Sequence, residues 1–140
     1  MSKIAVVFWS GTGNTEMMAN AVAEGAKAKG AEVDVLTPAV FGSDQMDLYD
    51  AVAFGCPAMG AEVLEESEVQ PMFDDCASKL EGKKIVLFGS WGWGGGEWMQ
   101  NWAGQCRELG ANLAAEPVIC PNQPEEETLA ACRELGAALA

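Results

Sequence analysis

Val7-Phe8-Trp9-Ser10-Gly11-Thr12-Gly13-Asn14-Thr15-Glu16 is the stretch on which the reading of the chain turns. An apolar run from Ile4 to Trp9 stops at small hydroxyl and glycine residues, and a helical stripe of Met17, Met18, Ala21 and Val22 begins at once. The order is strand, tight loop, helix N-terminus, a geometry that aims several backbone N–H groups at one anion. Ser10, Thr12 and Thr15 add hydroxyl donors and Asn14 an amide, while Gly11 and Gly13 keep Cβ atoms out of a ligand's path. No Lys or Arg lies between Ser10 and Thr15, so a phosphate here is expected to be held by oriented dipoles without a counter-charge. The spacing is not the dinucleotide fingerprint, because Met17 stands where a third glycine would fall, and no Gly-Lys-Ser/Thr follows to make a Walker loop.

The strand-then-helix alternation repeats along the chain. The first helix is expected from about Asn14 to Lys29, closed by Gly30, and the second strand from Glu32 to Leu36, ahead of Pro38. Residues 40–47 read either as a loop or as one short helix around Ser43 to Leu48. Ala51 to Gly55 is a small apolar run of the kind buried on both faces of a sheet. Ser67 is a candidate cap for a helix reaching about Leu80, with Val69, Met72, Phe73, Cys76 and Leu80 on its apolar stripe and Gly82 beyond its end. A fourth strand is expected at Lys84 to Gly89 and a helix from Glu97 to Leu109. The fifth strand, Asn112 to Cys120, is interrupted or bent at Pro117. Glu125, Glu126 and Glu127 then sit in the first turn of the last helix, where the dipole favours them. The pattern predicts one α/β domain over residues 1–140, a doubly wound five-stranded parallel sheet of order 2-1-3-4-5 with helices on both faces. Ligands of such sheets bind beyond the carboxyl ends of the strands, here at the switch between strands one and three.

Bulk properties narrow the function. At 140 residues and 49% apolar content the chain can bury a real core. Its net charge of −13 argues against nucleic acid and anionic membranes, and suits partners with basic faces. The run Ile4 to Trp9 is too short for a signal peptide or a membrane span, so a cytoplasmic protein is expected. There is no histidine, and the cysteines at 56, 76, 106, 120 and 132 form no C-x-x-C pair. Metal sites and disulfides are therefore not expected, and Ser-His or Cys-His nucleophiles are excluded.

The loops after strands three and four are the other unusual stretches. Cys56-Pro57-Ala58-Met59-Gly60-Ala61-Glu62-Val63-Leu64-Glu65-Glu66 presents a polarizable thioether at Met59, or else Met59 fills the core. Gly60 permits positive φ, so the Gly60–Ala61 peptide can flip between turn types, and Glu62 can accept a ring N–H. Ser90-Trp91-Gly92-Trp93-Gly94-Gly95-Gly96 sets two tryptophans among glycines that supply no wall around them, so one is expected to stack on something planar. Trp9, Trp98 and Trp102 read as packing residues. A neutral phosphate cradle, a Met, a Trp and a flippable glycine fit a planar, aromatic, monophosphorylated ligand. No general base and nucleophile accompany them, so the site is built to hold a cofactor.

Trp9 to Thr15, Cys56 to Glu66 and Leu87 to Trp98 together resemble a short-chain flavodoxin of the clostridial type, over nearly the whole chain. The resemblance implies a flavodoxin-like fold and non-covalent FMN. It places Ser10, Gly11, Thr12, Gly13, Asn14, Thr15 and Ser90 at the phosphate. It places Pro57, Ala58, Met59, Gly60, Ala61, Glu62, Trp91, Gly92, Trp93 and Gly94 around the isoalloxazine, Met59 and Trp93 on its two faces and Glu62 near N3. The Gly60 carbonyl is expected to turn toward N5 in the neutral semiquinone. The implied role is a monomeric, low-potential one-electron carrier, shuttling between semiquinone and hydroquinone for redox partner proteins. Ala61, Trp91 and Gly95 depart from the expected pattern. The alternative on the same fold is an FMN-dependent quinone or nitro reductase. A receiver domain is set aside, because Trp9-Ser10 and Cys56-Pro57 stand where it needs acidic residues.

Overall fold

The structure is a computed structural model that describes residues 3–9, 13–57, 65, 67–91, 96–121 and 123–140. Strand β1 (Lys3–Phe8) pairs in parallel with β2 (Glu32–Leu36) on one side and β3 (Ala51–Gly55) on the other. β3 pairs with β4 (Lys84–Trp91), and β4 carries two short parallel strands, β5 (Asn112–Leu113) and β6 (Val118–Pro121). The fifth position is thus filled in two pieces, broken where Pro117 has no N–H for the ladder, and the order β2-β1-β3-β4-β5 is the expected one. Every residue of β3 is buried, as its unbroken apolar run requires.

Helices cover both faces. On one face α1 (Asn14–Ala28) and α5 (Glu126–Leu139) pack Met18, Val22, Ala26, Cys132 and Leu135 over Ile4, Val6, Ala53 and Phe88. On the other, α3 (Val69–Cys76) and α4 (Glu97–Glu108) bring Phe73, Trp98 and Trp102 against Phe54. The aromatic rings meet edge to face, Phe54–Phe73 and Phe73–Trp102 each at 5.8 Å between centroids. The spacing of Trp98 and Trp102 allows either core or helix surface, and both are core residues. The short helix α2 (Ser43–Met46) fills the ambiguous stretch, and the Asp75 carboxylate accepts the Ser43 N–H at 2.8 Å.

Two glycines set how closely α1 and α5 approach. A Cβ on Gly25 would lie 1.8 Å from the Arg133 carbonyl oxygen, and one on Gly136 would lie 1.9 Å from that of Val22. The helices touch backbone to backbone.

Two expectations need correction. Ser67 does not cap α3. The helix begins at Val69, and the buried carboxylate of Glu65 accepts the N–H groups of Ser67 (2.9 Å), Glu68 (2.6 Å) and Val69 (3.0 Å) as well as the Ser67 hydroxyl. A full charge satisfies several orphan N–H groups at once, where a serine hydroxyl satisfies one. Strand β4 also runs past Gly89, because Ser90 and Trp91 pair with Cys120 and Pro121, so these two residues lie in the sheet and not in a loop.

Gly136→Ala should lower the unfolding free energy by about 1–3 kcal/mol, because neither backbone can yield to the added methyl; urea denaturation measures it. Glu65→Gln should lose about 0.5–2 kcal/mol at neutral pH, the worth of a helix cap. Burial opposes the Glu65 charge, yet the hydrogen bonds from Ser67, Val69 and Glu68 outweigh it and hold the carboxyl below its ordinary value of 4.5. With the folded value depressed, the stabilisation is full above the unfolded value and is lost as pH falls through the folded one. Wild type and Glu65→Gln should therefore converge in stability as pH falls below 4.5 and through the depressed folded value, as a pH series of thermal melts would record.

Candidate cofactor site

The carboxyl ends of β1, β3 and β4 meet the amino ends of α1, α3 and α4, and those sequence-predicted residues that are described stand at this end. Gly13 precedes α1 with φ +92°, a left-handed conformation that a Cβ would strain, and its carbonyl accepts the Met17 N–H at 3.1 Å. Two residues on, Thr15 is buried, and its Oγ1 lies 3.2 Å from the Oγ of Ser90, also buried, at the end of β4. Two hydroxyls and the N–H groups of a first helical turn, which have no acceptor within the helix, form a neutral, donor-rich corner. That donor set fits a phosphate held without a cation.

Across the switch point the end of β3 is tied down. The Cys56 N–H donates to the Phe88 carbonyl at 3.1 Å, and Trp98 Nε1 donates to the Cys56 carbonyl at 3.1 Å. That carbonyl passes so near β4 that a Cβ on Gly89 would stand 2.1 Å from its oxygen. The Cys56 thiol donates to the Pro57 carbonyl at 3.3 Å and accepts the Glu65 N–H at 3.4 Å, so one sulfur holds both ends of the loop that follows β3. Burial pushes the Cys56 thiol up to about 12, the Glu65 N–H working against that and the Glu65 charge adding to it. Cys76, Cys106 and Cys132 are likewise pushed to about 12 by burial, and all five cysteines are free. They are packing thiols and not nucleophiles.

Trp9 follows β1, its N–H donating to the Gly55 carbonyl at 3.1 Å and its indole Nε1 to Glu68 Oε2 at 2.8 Å. Of the predicted site residues, Gly13, Asn14, Thr15, Pro57, Ser90 and Trp91 stand at this end of the sheet. Ser10, Gly11, Thr12, Ala58, Met59, Gly60, Ala61, Glu62, Gly92, Trp93 and Gly94 lie outside the described residues. Sequence reasoning missed the tie made by Cys56 and Glu65 and the grip of Trp98 on the Cys56 carbonyl. An acidic residue four positions before Val69 was the available signal for Glu65, and the nearer Ser67 obscured it.

Charge is sorted along the strands. Of the eight Lys and Arg residues, Lys3 opens β1, Lys83 and Lys84 stand at the start of β4, Lys27 and Lys29 close α1, Lys79 follows α3 and Arg107 closes α4. All seven lie at the end of the sheet opposite the site, and the eighth, Arg133, lies within α5 and pairs with Glu126. Glu16, Glu68 and Glu97 stand at the site end. Among the described residues no group of His, Cys, Asp and Glu could hold a metal ion, and no helix is long and apolar enough to cross a membrane.

Residues 6–136 match the family model for flavodoxin. The flavodoxin of Megasphaera elsdenii is 44% identical over 140 residues, 98% of each chain. That of Clostridium beijerinckii is 41% identical over 121 residues, 86% of this chain and 88% of the other. The solution structure of two-electron reduced Megasphaera elsdenii flavodoxin has the same fold, with a TM-score of 0.89 over 97% of each chain. With a family match across nearly its full length, this chain belongs to the flavodoxins, flavoproteins that carry electrons and are not enzymes.

Proposed function

We infer that the chain binds FMN non-covalently and acts as a low-potential one-electron carrier between semiquinone and hydroquinone. In this reading it works as a cytoplasmic monomer and docks on redox partner proteins with basic faces. The observation that carries the reading is the neutral cradle of Gly13, Thr15 and Ser90 at the amino end of α1, at a switch point kept free of Lys and Arg. Family membership supports a flavin there, and the donor set selects a phosphate-bearing one.

Ser10 to Thr15 and Ser90 hold the phosphate in this proposal. Met59 and Trp93 bracket the ring, and Pro57, Ala58, Ala61, Trp91, Gly92 and Gly94 complete the walls. Glu62 accepts from the pyrimidine edge, and the Gly60 carbonyl accepts a proton-bearing ring nitrogen after the first reduction. FMN supplies the one-electron chemistry; the protein sets how easily each electron enters. With carboxylates at this end and cations at the other, a second negative charge on the cofactor is opposed. A difference of ~1.4 kcal/mol is tenfold in an equilibrium constant, so modest fields separate the two steps.

An anaerobic reductive titration followed by visible absorbance tests the function. One FMN per chain and a stable blue intermediate are expected; direct two-electron reduction, or no uptake of added FMN, would refute the carrier. Gly60→Val should diminish the blue species while FMN stays bound. Trp93→Ala should instead weaken FMN binding in every oxidation state, and fluorescence titration separates the two variants.

A further inference from the structure

Beside the phosphate corner, on the β2 side of α1, lies a cavity of about 340 Å³ lined by Phe8, Trp9, Glu16, Thr37, Pro38 and Glu68. None of its described residues belongs to the cofactor cradle. Its walls are an indole, a benzyl ring and a proline. Its charged groups are two carboxylates, and every Lys and Arg of the chain lies elsewhere. Glu68 is fixed toward the indole by the Trp9 Nε1–H bond of 2.8 Å, so one carboxylate stands at the edge of the ring. Glu16, in the first turn of α1, is exposed. Two apolar side chains adjoin the cavity in sequence, Met17 at 37% exposure and Val40 at 57%.

We propose that this cavity is a docking socket for an arginine or lysine side chain of the basic redox partner, stacked on Trp9 and held by Glu16 and Glu68. The socket rests on the carrier reading for the identity of its partner, not for its geometry. A guanidinium is planar and weakly hydrated, stacks on an indole and pairs with carboxylates by a fork of N–H donors. Aromatic rings with a fixed polar rim are the anchor positions of protein interfaces. A second copy of this chain is a poor occupant, because both copies carry −13. The socket adjoins the amino end of α1, so a partner seated there is brought next to the cofactor corner.

The test uses the FMN-loaded, ¹⁵N-labelled protein titrated at low salt with a basic c-type cytochrome, following the indole N–H signals. The Trp9 signal should move well before those of Trp98 and Trp102, and Glu16→Gln should weaken binding about threefold or more. Glu108→Gln, the same charge change at the far end of α4, should leave affinity unchanged. A stationary Trp9 signal, equal weakening by both substitutions, or no binding at all would overturn the socket. Electron transfer with a stationary Trp9 signal would overturn the socket alone. A chain that takes up no FMN while its Trp9 signal still responds would overturn the carrier and leave the socket standing.

Discussion

In a parallel sheet every strand ends where the following helix begins, and that constraint shapes both the site and the surface of this protein. The amino ends of α1, α3 and α4 converge on one end of the sheet, each with N–H groups that lack an intrahelical acceptor and with a partial positive charge. The chain answers these ends in different ways. At α3 a buried carboxylate, Glu65, satisfies the N–H groups from within. At α1 the N-cap is Gly13, which has no side chain to cap the first turn, and two hydroxyls lie beside it. α4 likewise starts at a left-handed glycine, Gly96, with no side-chain cap, but only the α1 end lies beside the Thr15–Ser90 hydroxyl pair, and that pair makes it the end where an anion fits.

The same constraint accounts for the polarity of charge. Cations at helix carboxyl ends and carboxylates at helix amino ends are each locally stabilising. Because all helices following parallel strands point the same way, these local preferences add up across the fold. Four cations, Lys27, Lys29, Lys79 and Arg107, end up opposite the site in this way, and Lys3, Lys83 and Lys84 reach the same end at the starts of strands. A fold that simply caps its helices well acquires an oriented field, and a carrier with one working end then benefits from arriving that end first.

Much of this was legible in the sequence, and the failures have physical causes. β2 and β3 fell on the expected residues, because short apolar runs bounded by Gly and Pro leave little freedom. Gly30, Gly82 and Gly110 all carry the left-handed φ of a helix stop. Topology alone put the candidate site at the switch between β1 and β3. What pattern could not give was contact at a distance in sequence. Nothing in the periodicity of β4 says that Ser90 and Trp91 find partners thirty residues on, in Cys120 and Pro121. Nor does local sequence say that Trp98 Nε1 reaches the Cys56 carbonyl, or that the Cys56 sulfur reaches the Glu65 N–H.

Beside those ties, backbone comes very near backbone at several glycines. Gly89 allows the Cys56 carbonyl to cross β4, as Gly25 and Gly136 allow α1 and α5 to touch. Each glycine lets a polar backbone group reach a fixed place that a methyl would deny it. At the end of β3 the consequence is positional. The Cys56 carbonyl is trapped between Gly89 and the Trp98 indole, and the adjoining thiol anchors Pro57 and Glu65. A loop whose two ends are held by one buried sulfur starts and finishes at a defined place whatever conformations lie between.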